Sequence, residues 1–385
     1  MESDTAAVSR RRKGALLVAG LLATAGGAGW HIYDSLMLAA VVAAGGLIWT
    51  SRQWKAWLIA VPMATGGLVW SGLDTKGCSV GSKARVFYEK LVGHLPYVEW
   101  SALSREAFSP SCFSSPRDTP ELEAGIKNLE NKTVDGHKWE LYQTSLGNFW
   151  IPAPGKGLLN WLLWEITVQH VYESGKVTLH PGDTVIDCGA HIGVFTRYAL
   201  SRGASRVVAI EPEPTNTAIL EANFLKEIAE GRVKLVKAGV WNERAYLTLS
   251  DSEDNSARHT FVADLEHSKK LPGMPVLPLD EIVGQLGLDR VDFIKMDIEG
   301  AERRALKGAR QTLERFKPRM AICTYHLHDD GAVIPAVVKK AEPGYRTHAT
   351  HFETGWDRYV TKVMYFEQPP DKSAALAPAS ARYRH

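Results

Sequence analysis

The sequence has few cysteines and almost no excess of charge. Its four cysteines lie far apart among 385 residues, at Cys78, Cys112, Cys188 and Cys323. Their spacing excludes a disulfide framework and a zinc site built from close cysteine pairs. A net charge of +2 lacks the cationic surplus of nucleic-acid binders, so we expect no nucleic-acid partner. With 45% hydrophobic residues, a fully disordered chain is also excluded.

Charged residues are nearly absent from three apolar runs near the amino terminus. Gly14–Tyr33, Ser35–Ser51 and Ala56–Leu73 are each about 17 to 20 residues long, close to the minimum for a membrane-spanning helix. We predict that residues 1–75 form a membrane anchor with two or three apolar helices. Buried soluble helices are an alternative for all three runs. For the first run alone, a cleaved signal peptide is another, because Ala23–Ala25 resembles a cleavage site.

The chain after the anchor divides by pattern into three further parts. Residues 76–135 predict a connector with accessory helices, one of them over Glu121–Leu129. Alternating apolar residues in Trp139–Gln143 and Asn148–Pro152 predict a hairpin at the start of the next domain. The tail over residues 368–385 is rich in Pro, Ala and Ser and predicts disorder.

A strand, a glycine turn and a helix follow one another from residue 184. Thr184–Cys188 predicts a short buried strand that carries Asp187 near its end. Gly189 and Gly193 belong to the turn, and Val194–Ser201 predicts the helix. This order is typical of a nucleotide-type site at the carboxyl end of a parallel strand.

The strand that follows ends in an acid. Arg206–Ile210 is followed by Glu211, 22 residues after Gly189, where an acid binds ribose hydroxyls. The dinucleotide fingerprint needs glycine at its first, third and sixth positions. It fails here, because Asp187 stands at the first position and Ile192 at the sixth. An acid in place of glycine suits a cationic ligand, and S-adenosylmethionine carries both an ammonium and a sulfonium group.

Charged residues also mark a later strand. Lys295, Asp297 and Glu299 alternate along a strand that we expect to be central and buried. Such charges are costly unless they pair, bind a ligand or leave the strand at its carboxyl end. A structural Lys–Asp pair is the simpler alternative. Arg319–Tyr325 predicts a fifth strand, which is followed by His326.

Four blocks of the sequence resemble successive motifs of the FkbM family of methyltransferases. They are Asp187–Gly193, Ile210–Pro212, Leu279–Glu281 and Asp292–Glu302. The resemblance implies a class I methyltransferase domain, which we assign to residues 136–367. Its expected fold is Rossmann-like α/β, with a seven-stranded, mostly parallel sheet whose last strand is antiparallel.

The resemblance also implies ligands and site residues. The expected methyl donor is S-adenosyl-L-methionine, and the expected acceptor is a hydroxyl group on a sugar, glycolipid or polyketide-like molecule. Carried onto this sequence, Asp187, Gly189, Ala190 and Gly193 would form the loop against the methionine part of the donor, and Glu211 would contact its ribose.

The acceptor determines which further residues are needed. A sulfonium methyl group is already activated, so the enzyme mainly aligns the reactants. An alcohol still needs a base or a metal to take its proton. Asp297 and His326 follow strands that end at the expected crevice, and His326 is the better base by intrinsic pKa. A divalent cation held by Asp297 and Glu299 is the alternative; we predict the base and no metal.

Two other classes of protein remain open. One is a membrane-bound NAD(P)-dependent oxidoreductase, which the broken glycine fingerprint disfavours. The other is a catalytically silent scaffold with a methyltransferase fold, which the intact Asp187, Gly189, Glu211 and Asp297 disfavour.

Two considerations favour different topologies. The basic residues before the first apolar run favour a domain outside the cell, whereas the cytosolic origin of the donor favours a domain on the cytoplasmic face. With Arg10–Lys13 inside, three full spans would leave the domain outside. A polar, charged donor does not cross hydrocarbon unaided. We therefore expect two spans, Gly14–Tyr33 and Ser35–Ser51, with Ala56–Leu73 bent at Pro62 along the inner leaflet and the catalytic domain on the cytoplasmic face.

Overall fold

The computed structural model describes residues 90, 95, 97–100, 103, 120–251, 259–260, 269–354 and 359–369. Those from 120 onward belong to one compact unit, Ser115–His385. The three apolar runs, Cys78, Cys112 and residues 370–385 of the predicted tail lie outside the described residues. Within the described ranges, no helix combines the length and the apolar character needed to cross a bilayer.

The unit begins with a small antiparallel sheet. Its elements are α1 (Pro120–Ala124), β1 (Lys127–Val134), β2 (His137–Thr144) and β3 (Gly147–Pro152). β2 and β3 confirm the predicted hairpin. The helix predicted over Glu121–Leu129 is wrong beyond α1, because β1 pairs with β2 along its length. The predicted start of the domain at residue 136 lies in the turn between β1 and β2.

The rest of the unit combines strand–helix alternation with runs of consecutive strands. The strands are β4 (Thr184–Cys188), β5 (Arg206–Ile210), β6 (Val233–Val236), β7 (Gly239–Trp241), β8 (Ala245–Asp251), β9 (His259–Thr260), β10 (Lys269–Pro278), β11 (Phe293–Met296), β12 (Arg319–Cys323), β13 (Arg346–Thr354) and β14 (Tyr359–Glu367). The helices are α2 (Lys156–Leu163), which continues as a π-helical turn over Trp164–Val168, α3 (Val194–Ser201), α4 (Pro214–Asn223), α5 (Leu225–Ala229), α6 (Leu279–Gln285), α7 (Glu302–Lys307), α8 (Arg310–Phe316) and α9 (Asp330–Ala341).

The main sheet has seven strands in the order β13-β14-β12-β11-β4-β5-β6. The pairs from β12 to β6 are parallel, whereas β14 runs antiparallel to both of its neighbours. The predicted seven-stranded, mostly parallel sheet with an antiparallel last strand is present. Every residue of β4 and β11 is buried, as expected for central parallel strands covered on both faces.

A second sheet of four strands, in the order β7-β10-β8-β9, was not predicted from the sequence. The helix that follows it, α6, carries the Leu279–Glu281 block. Asp280 in this block accepts hydrogen bonds from the backbone N–H groups of Gln311 at 3.0 Å and Thr312 at 2.8 Å. The block therefore joins α6 to the first turn of α8.

Candidate functional site

A cleft opens at the carboxyl ends of β4, β5 and β11. β4 has β5 on one side and β11 on the other, so its end is a switch point of the sheet, where ligands of α/β proteins bind. The cleft is open to solvent, and the empty space at its mouth and inside it together amounts to about 530 Å³. Its walls come from the loop after β4, the residues that follow β5, the start of β7 and the turn after β11.

The loop after β4 is shaped by two glycines in the left-handed region of backbone conformation. Gly189 has a φ of +77°, and a Cβ there would collide with the backbone oxygen of Asp297. Gly193 has a φ of +92°, and a Cβ there would collide with the ring of Phe224. Only glycine fits these two positions, where the loop backbone packs directly against the turn after β11 at Gly189 and against Phe224 at Gly193.

Asp187 lies beneath this loop and outside the cleft. Its side chain is fully buried, with Oδ1 3.2 Å from Nζ of Lys295, and Oδ2 accepts a hydrogen bond from the Thr196 hydroxyl at 2.7 Å. Lys295 also donates to the carbonyl oxygen of Gly189 at 2.7 Å. Asp187 therefore supports the loop from below, instead of facing a ligand as the resemblance implied. The sequence left open a structural pair between Lys295 and Asp297; the structure pairs Lys295 with Asp187 of β4 instead.

The Lys295 side chain stays protonated in these surroundings. Burial lowers the pKa of the ammonium group, but the carboxylates of Asp187 and Asp297 more than reverse this effect and the net pKa is raised. Residues Asp187 and Lys295 stand opposite each other in the pairing of β4 with β11. The ion pair thus fastens the two strands whose ends form the cleft.

Glu211 lies on the wall of the cleft, at the predicted ribose position. Only 5% of the residue is exposed. One carboxylate oxygen accepts a hydrogen bond from the backbone N–H of His191 at 2.9 Å, and the other from that of Glu213 at 3.0 Å. These bonds tie the loops after β4 and β5 together and hold the carboxylate in one orientation.

Asp297 begins the turn after β11 and lines the cleft. Its Oδ2 accepts a hydrogen bond from the hydroxyl of Tyr172 at 2.7 Å. Burial raises the pKa of Asp297, but the positive charges of Lys295 and His326 and the Tyr172 hydrogen bond more than reverse this effect. The net pKa is lowered, so this carboxyl group is ionised at neutral pH.

His326 follows β12 and is surrounded by carboxylates. Its side chain is 6% exposed, and its Nδ1 lies 3.0 Å from Oε1 of Glu302. Its Nε2 lies 3.5 Å from Oδ1 of Asp297 and 3.6 Å from Oε2 of Glu299. Burial lowers the pKa of His326, but the negative charges of Glu302 and Glu299 raise it well above its usual value. An imidazolium cannot accept a proton, so these surroundings disfavour the predicted role of His326 as a base.

Two other residues near the site hold its loops in place. Ala190 is buried and its N–H donates to the carbonyl oxygen of Ile210 at 3.0 Å. Asp330 is fully buried and binds Arg303 and the backbone N–H of Leu327, which fixes the loop after β12.

Sequence reasoning missed three groups of site residues. Tyr172 is separated from Asp297 by 125 residues, and no local pattern marks that contact. Asn216 and the 238–240 segment line the cleft, but the segment lies around a strand that the sequence did not predict. Glu302 was visible in the last FkbM-like block, yet its contact with His326 depends on the packing of β12.

The comparisons with known proteins agree with this geometry. Residues 187–347 match the family model described as the methyltransferase FkbM domain. Residues 187–347 are an FkbM methyltransferase domain by this match.

Its relatives cover different shares of the chain. The FkbM-like region is 29% identical over 205 residues to "31-O-demethyl-FK506 methyltransferase FkbM" of Streptomyces tacrolimicus, a match that covers 46% of this chain and 78% of that protein. It is 24% identical over 173 residues to "Methyltransferase sdnD" of Sordaria araneosa, with 37% and 66% covered. The crystal structure of methyltransferase FkbM from Methylobacillus flagellatus KT is 24% identical and covers 54% of this chain and 53% of that one, with a TM-score of 0.36.

The FkbM family implies S-adenosylmethionine as the methyl donor, and the chemistry of the cleft fits this cation. Glu211, Asp297 and Glu299 line it, and no lysine or arginine among the described residues does. Glu211 offers acceptor oxygens to hydroxyl groups, and the two other carboxylates provide negative charge toward a sulfonium and an ammonium group. The backbone of the Gly189 loop forms the floor, where a side chain would have no room.

Proposed function

We propose that this protein is an S-adenosylmethionine-dependent O-methyltransferase, that its acceptor is a hydroxyl group on an apolar or lipid-linked molecule, and that it acts at the cytoplasmic face of a membrane. The observation that carries the proposal is the position of Glu211. Its carboxylate is buried, oriented by two backbone N–H groups and exposed only toward a cleft at the switch point of the sheet.

In this proposal one end of the cleft binds the donor and the other end binds the acceptor. Glu211 holds the ribose hydroxyl groups, and the loop from Gly189 positions the methionine part. The Asp187–Lys295 pair keeps that loop against β11. The acceptor binds beside the turn after β11, where Asp297 and Glu299 face the cleft. Because these parts are fixed by buried hydrogen bonds, donor and acceptor meet in a set geometry.

When bound, S-adenosylmethionine supplies a methyl group on a positively charged sulfur. As the bond between carbon and the acceptor oxygen forms, the bond between carbon and sulfur breaks, its electron pair stays on sulfur, and the hydroxyl proton must leave. The carboxylates of Asp297 and Glu299 are placed to receive this proton. Asp297 is the better oriented of the two, because Tyr172 fixes its other oxygen.

Two observations support the acceptor class. The name of the Streptomyces tacrolimicus relative places its methyl group on an oxygen atom. The three apolar runs before residue 75 would keep this chain at a membrane, where apolar and lipid-linked alcohols accumulate. The acceptor proposal rests on both.

Replacing Glu211 by glutamine is expected to weaken donor binding by about 10- to 150-fold. The loss of a charge-assisted hydrogen bond costs about 1.5–3 kcal/mol, and each 1.4 kcal/mol corresponds to about a factor of ten. Calorimetric titration of the detergent-solubilised full chain with S-adenosylmethionine measures the affinity.

Glu213→Gln is the matched control for this change. Glu213 also accepts two backbone hydrogen bonds, from Thr215 at 2.9 Å and Asn216 at 2.6 Å, as the N-cap of α4. It does not line the cleft. We expect its substitution to lower the stability of α4 but to leave donor affinity within about threefold of wild type. Equal donor affinity in wild type and Glu211→Gln would remove Glu211 from the site.

The topology in this proposal predicts where Cys78 lies. If two spans precede it and the domain is cytoplasmic, Cys78 reacts with a membrane-impermeant thiol reagent only after lysis, and it forms no disulfide with Cys112. Labelling in intact cells, with and without permeabilisation, measures this. Reaction of Cys78 in unbroken cells would place the domain outside and contradict the proposed topology.

A further inference from the structure

Helix α2 and the π-helical turn that continues it present a tryptophan to solvent. Trp161 is 43% exposed, and its ring centroid lies 5.4 Å from that of Trp164, which is 6% exposed. Glu165 follows Trp161 by four residues, so the two side chains lie on the same helix face. A π-helical turn at this point is a feature that often accompanies a functional site.

The start of β14 brings a lysine to this helix face. Nζ of Lys362 lies 2.5 Å from Oε1 of Glu165, and only 17% and 11% of the two side chains are exposed. The same Nζ lies 5.8 Å from the centre of the Trp161 ring and 6.0 Å from that of the Tyr325 ring. A largely buried ion pair therefore lies beside two aromatic rings. We call Trp161, Tyr325 and the Lys362–Glu165 pair the aromatic surface.

The aromatic surface is continuous with the acceptor end of the cleft. The ring centroids of Tyr325 and His326 lie 4.1 Å apart, and Nε2 of His326 lies 3.5 Å from Oδ1 of Asp297, which lines the cleft. β12 is parallel to β11 and antiparallel to β14, so the ends of β11 and β12 and the start of β14 share one edge of the sheet. A ligand on this surface can therefore reach Asp297.

The aromatic surface offers both ring faces and hydrogen-bonding groups. An ammonium group donates up to three hydrogen bonds, and a carboxylate has about four acceptor positions. A purely apolar ligand would remove the Lys362–Glu165 pair from water without replacing its hydrogen bonds, which is costly. A saturated ring with several hydroxyl groups fits better, because its C–H face packs on the exposed indole and its hydroxyl groups bind the ammonium and the carboxylate.

We propose that the aromatic surface is the acceptor-binding site and that its ligand is the sugar group of a lipid-linked molecule. This inference rests on the function proposed above and names the acceptor of that reaction. The sugar ring lies on Trp161, and its outer hydroxyl groups bind Lys362 and Glu165. One further hydroxyl group reaches Asp297, which receives its proton in the methyl-transfer step described above. Trp161 thus determines specificity and takes no part in the chemical step.

Acceptor kinetics of the full chain in detergent, with a lipid extract of the source and labelled S-adenosylmethionine, test this assignment. Trp161→Ala is expected to raise KM for the extract by at least about tenfold and to leave kcat within about threefold of wild type, because the stacking contact is the same in the ground state and the transition state. Trp161→Tyr keeps an aromatic ring and should recover most of the lost affinity. Donor affinity, measured by calorimetry, should be unchanged in both variants.

Val168→Ala is the matched control. Val168 is also 43% exposed and lies on the π-helical turn that continues α2, but it lines a separate cavity with Leu122 and Ile126. We expect its KM to equal that of wild type. An equal rise of KM in Val168→Ala would overturn the assignment, because the effect would then belong to the helix as a whole. A wild-type KM in Trp161→Ala would overturn it directly.

The chemical identity of the labelled product is an independent test. Acid hydrolysis cleaves glycosidic and ester bonds but leaves a methyl ether intact, so the label is then partitioned between water and an organic solvent. We expect the label in a water-soluble methylated sugar. Label in the apolar fraction would overturn the sugar acceptor and leave the proposed function standing. No transfer of label by the wild-type protein would count against the proposed function itself, and the acceptor site would fall with it.

Discussion

Replacing Lys295 by methionine is expected to lower the free energy of unfolding by about 3–5 kcal/mol, because it leaves the Asp187 carboxylate buried without its partner. At about 2–4 °C per kcal/mol for a domain of this size, the melting temperature should fall by about 6–20 °C. Thermal unfolding of the full chain in detergent, followed by circular dichroism, measures the change.

A surface ion pair provides the control. Lys237 lies 2.7 Å from Glu221, with about half of each side chain exposed. Exposed pairs contribute less than about 1 kcal/mol, so Lys237→Met should shift the melting temperature by no more than about 4 °C. A similar shift for both variants would show that the Asp187–Lys295 pair does not hold the loop and β11 together as described.

Removing both charges at once separates the ion pair from packing. The double variant Asp187→Leu/Lys295→Met leaves no unpaired charge, and buried pairs replaced in this way often lose little stability. We expect it to be more stable than Lys295→Met alone. We also expect weaker donor binding, because Lys295 no longer donates to the Gly189 carbonyl that shapes the loop.

Asp297→Asn is expected to reduce methyl transfer by about a hundredfold or more while donor affinity changes little. Asparagine keeps the size of the side chain and a possible hydrogen bond with Tyr172, but it neither accepts a proton nor binds a metal with full charge. His326→Ala is expected to act in the same direction, because it removes the positive charge that lies 3.5 Å from the Asp297 carboxylate. Transfer of label from S-adenosylmethionine into a lipid extract of the source measures turnover, and calorimetry measures donor affinity.

Asp292→Asn is the control at the opposite end of the same strand. Asp292 precedes β11 and binds Arg290 and the backbone N–H of Thr184, away from the cleft. It should retain wild-type turnover. Full activity of Asp297→Asn would end its catalytic role, and recovery of its activity at raised Zn²⁺ would favour the metal over the base.

The central sheet was predictable because its strands have simple sequence signals. Thr184–Cys188 and Arg206–Ile210 are short apolar runs that end in glycine or an acid, as buried parallel strands do. β1 was missed because Lys127–Val134 is polar and largely exposed, so neither periodicity nor burial distinguishes it from a helix end. Its strand conformation depends on pairing with β2.

The site was predicted in part, and the limit was the direction of side chains. Glu211 lies where the spacing from Gly189 placed it. Asp187 ends the strand as expected, but its carboxylate turns toward Lys295, and this contact depends on the register between β4 and β11. The charge state of His326, in the loop after β12, depends on Glu302, which begins α7. Local sequence carries no information about such contacts.

Calorimetric titration of the wild-type full chain with S-adenosylmethionine and, separately, with NADH tests the central claim most directly. The geometry of Glu211 and the carboxylates at Asp297 and Glu299 predicts one S-adenosylmethionine per chain, competed by S-adenosylhomocysteine, and no saturable binding of NADH. Binding of NADH without S-adenosylmethionine would contradict the account and support a nicotinamide oxidoreductase. Binding of neither would leave a methyltransferase fold without its donor.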